Sequence, residues 1–160
     1  MRKGLLFGLV FLTLLPSCAT APRTYAFERS LPYGHPHSDV WAAVVEIATT
    51  QLPVSTIHAD EGVGTITTLE HPPSSDRHHD CGSGGINSVY SEHLAAVSLV
   101  VRETDAGGTS VTVNTHFSAV RSTRGFSSRA SSGLRVTCNS TGALEEGIHR
   151  RVREILEQQG

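Results

Sequence analysis

EHLAAVSLVVRET-DAGG-TSVTVNTHFSAV, residues 92–120, is the stretch that sets the fold. Its second half alternates cleanly, with Val111, Val113, Thr115, Phe117 and Ala119 on one parity and Thr112, Asn114 and His116 on the other. Such a period of two marks a strand with one buried face. The first half puts Val97, Leu99 and Val101 on one face, while Leu94, Ala96 and Val100 make the other partly apolar. A strand apolar on both sides belongs inside a sheet. Asp105-Ala106-Gly107-Gly108 between the halves carries the residues of a hairpin loop. The chain is thereby committed to antiparallel pairing.

Working toward the N-terminus, Gly64–Glu70 (GTITTLE) is rich in β-branched residues and follows the turn Asp60-Glu61-Gly62 and a strand at Val54–Ala59. Short connection and turn chemistry make this a second hairpin. Before it, Val40, Trp41, Val44, Val45, Ala48 and Leu52 fall at helical spacing, and Pro53 closes the run. Ser38 or Asp39 is the expected cap and Trp41 the largest core anchor. Further back, Thr24–Leu31 (TYAFERSL) alternates Tyr25, Phe27 and Arg29 against Ala26, Glu28 and Ser30, the pattern of a first strand, before Pro32, Gly34 and Pro36 interrupt it.

Toward the C-terminus, residues 121–135 form a serine- and arginine-rich excursion. Leu144, Ile148, Val152, Ile155 and Leu156 then make one stripe of a last helix capped by Thr141. Glu145 and Glu146 open that helix and Arg150, Arg151 and Arg153 follow, the order its dipole prefers. Residues 71–91 are polar, with Pro72, Pro73, Gly82, Gly84 and Gly85, and read as a long loop. The order β-α-β-β-β-β-α predicts an α+β fold: an antiparallel sheet of about five strands with two helices packed on one face.

The opening, MRKGLLFGLVFLTLLPSCAT, fixes the expected address. Arg2 and Lys3 precede an apolar run from Gly4 to Leu15, too short for the roughly 20 residues of a membrane span and right for a secretory signal. Leu15-Pro16-Ser17-Cys18 resembles the lipobox of bacterial lipoproteins, although Pro16 is an unusual occupant. The resemblance implies cleavage before an acylated Cys18, with residues 1–17 as signal peptide, 18–23 as lipidated tether and 24–160 as a single periplasmic domain. Two or more acyl chains anchor stably where one does not. Ala19 in place of Asp implies the outer membrane, periplasmic face.

Cleavage removes Arg2 and the chain's only lysine, taking the net charge from −2 to −4. A mildly acidic chain without a dense basic block argues against nucleic acid as a partner. With Cys18 assigned to lipid, Cys81 and Cys138 remain as an even pair in an oxidising compartment. A disulfide is the natural inference, stabilising by roughly 4 kcal/mol through loop closure. Two free thiols or a redox pair are the alternatives.

Around Ser38-Asp39-Val40-Trp41 and the hairpin with Gly62 and Thr65-Ile66-Thr67-Thr68, residues 38–70 resemble the repeated domain of BamC/NlpB-type outer-membrane lipoproteins. That resemblance implies a helix-grip, TBP-like fold and a non-catalytic accessory module of the envelope. The family carries two such domains and a long N-terminal arm; this chain has one domain, a short tether and the Cys81/Cys138 pair.

Arg121, Arg124, Arg129 and Arg135 suit phosphates or carboxylates on a partner, since guanidinium pairs with both. His71, His78, His79 and Asp80 are ligand types for zinc or copper, though their spacing follows no stereotyped motif. No nucleophile elbow, H-E-x-x-H or phosphate loop occurs. The expectation is a cofactor-free, non-enzymatic lipoprotein that touches outer-membrane lipid through acylated Cys18 and binds an envelope protein. The alternative is a metal-binding protein or metal-dependent envelope enzyme using His71, His78, His79 and Asp80.

Overall fold

The computed structural model describes residues 19–85, 88–123 and 133–159. Residues 1–17, expected as a signal peptide, and Cys18, Arg124 and Arg129 lie outside them. In chain order the elements are β1 (Ala19–Thr20), β2 (Ser30–Tyr33), α1 (His37–Gln51), β3 (Val54–Asp60), β4 (Val63–Thr68), a 3-10 turn (Asp76–His78), β5 (His79–Asp80), β6 (Ser83–Gly84), β7 (Ser88–Glu103), β8 (Thr109–Thr123), β9 (Leu134–Ser140) and α2 (Ala143–Gln159). The fold is α+β, a seven-stranded antiparallel sheet with two helices packed on it. A separate two-stranded pair, β1 with β6, adds to it.

The hairpin β7–β8 is the spine. Its pairing runs from Ser88↔Thr123 to Glu103↔Thr109, with Leu99 opposite Val113 and Val101 opposite Val111. Along β7 follow β4 and β3; along the other edge of β8 lie β2 at one end and β9 at the other, with β5 beyond β9. Val97, Leu99, Val101, Val111, Val113 and Ile66 form the buried floor, and α1 and α2 cover it with Val40, Val44, Ile47, Ile148, Val152 and Leu156. Each such aliphatic side chain contributes about 1.5–3 kcal/mol on burial.

Local chemistry explains the boundaries. Pro36, not Ser38 or Asp39, caps α1: its carbonyl accepts from the amides of Asp39 and Val40, and the Ser38 hydroxyl bonds Asp39 instead. The helix stops at Gln51, because Leu52 precedes Pro53 and is held extended. Trp41 packs against β4 at Gly64, where a Cβ would collide with its ring.

Three expectations need correction. The sheet has seven strands, not about five: β5 arises from the stretch read as a loop, and β9 from the end of the 121–135 excursion and the residues that follow it on the way to the last helix. The first strand of the main sheet is β2, Ser30–Tyr33, rather than Thr24–Leu31. The aromatics before it are anchored one by one: Tyr25 bonds Asp80, Phe27 fills the space beside Gly142, and Arg29 stacks over Phe27. Residues 71–91 are not one loop, since His71 bridges to Ala95 and β5, β6 and the start of β7 are paired.

Candidate functional site

The site forms where β5, β7, β8 and β9 meet, and a break in β7 builds it. The register slips between Ser91 and Leu94, so that one extra residue stands opposite β8. Glu92 there takes φ 49, the only positive φ at a non-glycine residue among those described. A bulge of this kind re-aims the side chains that follow it. Tyr90 and Ala95, five apart, consequently touch the same small cluster, which an unbroken strand forbids.

His93 sits in the bulge and faces His79 of β5, with His79 Nε2 2.7 Å from His93 Nδ1. One of the two nitrogens carries the shared proton. His79 stacks against Phe117 at 5.3 Å, and its Nδ1 is buried without a hydrogen-bond partner. Burial is the main cause that lowers the His79 pKa, and neighbouring His93 adds to it.

Cys81 and Cys138 form the disulfide, with Cα atoms 4.3 Å apart. Cys138 lies on β9 opposite Phe117, and Cys81 directly follows β5, so the bond pins the edge strand to the sheet. Its Cys81 sulfur is 3.9 Å from His93 Nδ1. Asp76, His79, Asp80, Cys81, Gly82, Tyr90 and His93 line a pocket of about 360 Å³ that opens on this group.

Asp80 has a different task. Its Oδ1 accepts from Gly82 N at 2.7 Å, and its Oδ2 from Arg23 N and Tyr25 Oη, both at 3.1 Å. The Gly82 amide, first among these donors, holds the carboxyl below its ordinary pKa. Asn139 Nδ2 donates to the Arg23 carbonyl, and Ala19 and Thr20 pair with Gly84 and Ser83. Gly82 takes φ 73 and abuts the Thr20–Pro22 backbone, where a Cβ would collide. The segment expected as a tether is thus laid on the domain from Ala19 onward.

The remaining sequence candidates disperse. His71 Nδ1 contacts the Leu69 carbonyl, and His78 lines a separate hollow against α2. Among the described residues only His79, Cys81 and His93 group as potential ligands, within 4.8 Å of one another. Of the four arginines, Arg135 bonds Ser118 and lies 3.7 Å from Glu92 across an exposed pair, while Arg121 is exposed near the end of β8. Two buried polar groups went unread in the sequence. Glu145 is fully buried and accepts from Thr115 (2.5 Å) and Ser140 (2.9 Å). His149 accepts from the Tyr33 hydroxyl at Nδ1 and donates from Nε2 to the Arg29 carbonyl. Burial lowers the His149 pKa and raises that of Tyr33 to about 12.

Comparison with protein-family models, curated proteins and solved structures finds no match to the chain.

Proposed function

We propose that the protein is a lipid-anchored, non-catalytic module on the periplasmic face of the bacterial outer membrane, acting by docking an envelope protein. The observation that carries this reading is the join between leader and domain. A lipobox-like Leu15-Pro16-Ser17-Cys18 leads directly into a residue, Ala19, that is already paired with the fold. An acylated Cys18 would then hold the domain at the bilayer with no slack between them.

A docking face supports the second half of the reading. Opposite the helices, the register sets Thr56, Thr67, Ser98 and Asn114 in one row and His58, Thr65, Val100, Thr112 and Ser30 in the next. These residues are exposed or half-buried and mostly polar, and no described helix covers them. Arg121 and Arg135 stand near the end of the same sheet. A flat hydroxyl-rich face suits hydrogen-bonded docking to a protein.

The test has two arms. Cys18→Ser is expected to shift the protein from membrane to soluble fractions and to abolish labelling by a fatty acid; unchanged fractionation would defeat the anchor. Thr67→Arg/Asn114→Arg is expected to remove an envelope protein that co-purifies with the detergent-solubilised mature form. Retention of that protein would move docking elsewhere.

A further inference from the structure

Two imidazole nitrogens aimed at each other are a costly arrangement for structure alone. One His–His hydrogen bond leaves His79 Nδ1 buried and unpartnered, and β7 adopts a bulge and a positive φ at Glu92 beside His93. Backbone strain of this sort is retained where a site requires it. The disulfide adjoins the same point, and the pocket of about 360 Å³ gives access from solvent.

We propose that His79, His93, Cys81 and Cys138 form a redox-gated site for a zinc-type metal ion, shut while the disulfide stands and four-coordinate once it is reduced. The ligand chemistry is two imidazoles and two thiolates, a set that tetrahedral zinc accepts. Tetrahedral coordination at zinc bond lengths sets the two nitrogens about 3.3 Å apart and a sulfur and a nitrogen about 3.6 Å apart. The protein presents 2.7 Å and 3.9 Å for these separations. Small side-chain rotations bring His79, His93 and Cys81 to this spacing, Cys138 starts one bond away from Cys81, and the shared proton passes to the other nitrogen of its own ring as the metal enters, so that both imidazoles bind neutral.

The gate is thiol–disulfide exchange with a dithiol. A thiolate of the reductant attacks one sulfur of the disulfide and a mixed disulfide forms. The second thiol of the reductant resolves it, leaving Cys81 and Cys138 as thiols and the reductant as a cyclic disulfide. Metal binding then releases the two thiol protons to solvent. In the oxidised protein both sulfurs are spent on each other, and only the two histidines are left to offer.

Metal uptake by the Cys18→Ser protein, oxidised or reduced and freed of reductant, tests this. Equilibrium dialysis against zinc(II) is expected to give one ion per reduced chain and at least a tenfold weaker affinity in the oxidised form. Cobalt(II) in place of zinc is expected to show sulfur-to-metal charge-transfer bands only after reduction. His93→Ala leaves both cysteines in place and should lower the affinity of the reduced form by at least ~10-fold, the loss that removing even an outer-shell partner brings. Equal zinc affinity in both redox states, or uptake indifferent to His93→Ala and His79→Ala, would overturn the site. If reduction loosens the fold, zinc should restore native circular dichroism; a loosened chain that neither binds zinc nor recovers would sink the proposal as well.

Discussion

The molecule has two hydrophobic clusters that are held together differently. The larger joins 16 buried residues of both helices and the sheet, nearly all aliphatic. The smaller has five, Cys81, Ala95, Phe117, Ala119 and Cys138, flanked by histidines and reached by a pocket. Leu144 packs against both. Apolar area suffices for the first, whereas the second is too small to hold an edge strand by packing and relies on a covalent bond. The region stabilised by chemistry rather than by area is the one free to carry polar groups.

Removing the disulfide is the sharpest way to separate the two. Cys81→Ala/Cys138→Ala opens a loop spanning a separation of 57 residues and should cost about 4 kcal/mol in the chain-entropy model. Hydrogen exchange is expected to accelerate across residues 71–85 while the amides of Val97–Val101 stay protected; equal acceleration in both would merge the clusters into one unit. Leu99→Ala should cost about 3 kcal/mol through a cavity in the larger cluster and lower the melting temperature as a single transition. A separate early transition would show that the smaller cluster is sheltered from it.

The smallest effect is one of pH. His149, facing Tyr33, Glu145 and Arg153, has a pKa lowered chiefly by burial from the ordinary 6.5. Below 6.5 the unfolded chain binds a proton that the native side chain resists, so stability falls with pH until the native value is reached and is flat above 6.5. A pH series of melting temperatures should show this fall, and His149→Gln should flatten it. An unchanged slope in that variant would assign the effect to His78 and His79, whose pKa values burial also lowers.

Much of the larger cluster is legible in the sequence, because alternation at Val111–Ala119 and helical spacing at Val40–Leu52 and Leu144–Leu156 report burial directly. Fold class and cysteine pairing follow from that pattern and from parity. The candidate site is another matter. His79 stands out in a histidine-rich stretch, but His93 lies inside a strand pattern, and an inserted residue changes its direction without changing its neighbours. Glu145 and His149 are hidden for a related reason: they flank the apolar stripe of α2, and only partners outside the helix, Ser140 just before it and Thr115, Tyr33 and Arg29 far along the chain, make their burial tolerable. Periodicity records which face is dry, not which polar atoms have found each other.

The strap that lays Thr20 and Arg23 against Ser83 and Asp80 has a mechanical consequence. A pull at residue 18 is delivered first to Gly84 and Ser83, which pair with Ala19 and Thr20, then to Asp80 and Asn139 through Arg23, and so reaches the disulfide and β9 before β2. Tension at the N-terminus and the redox state of one sulfur pair thus act on the same few atoms.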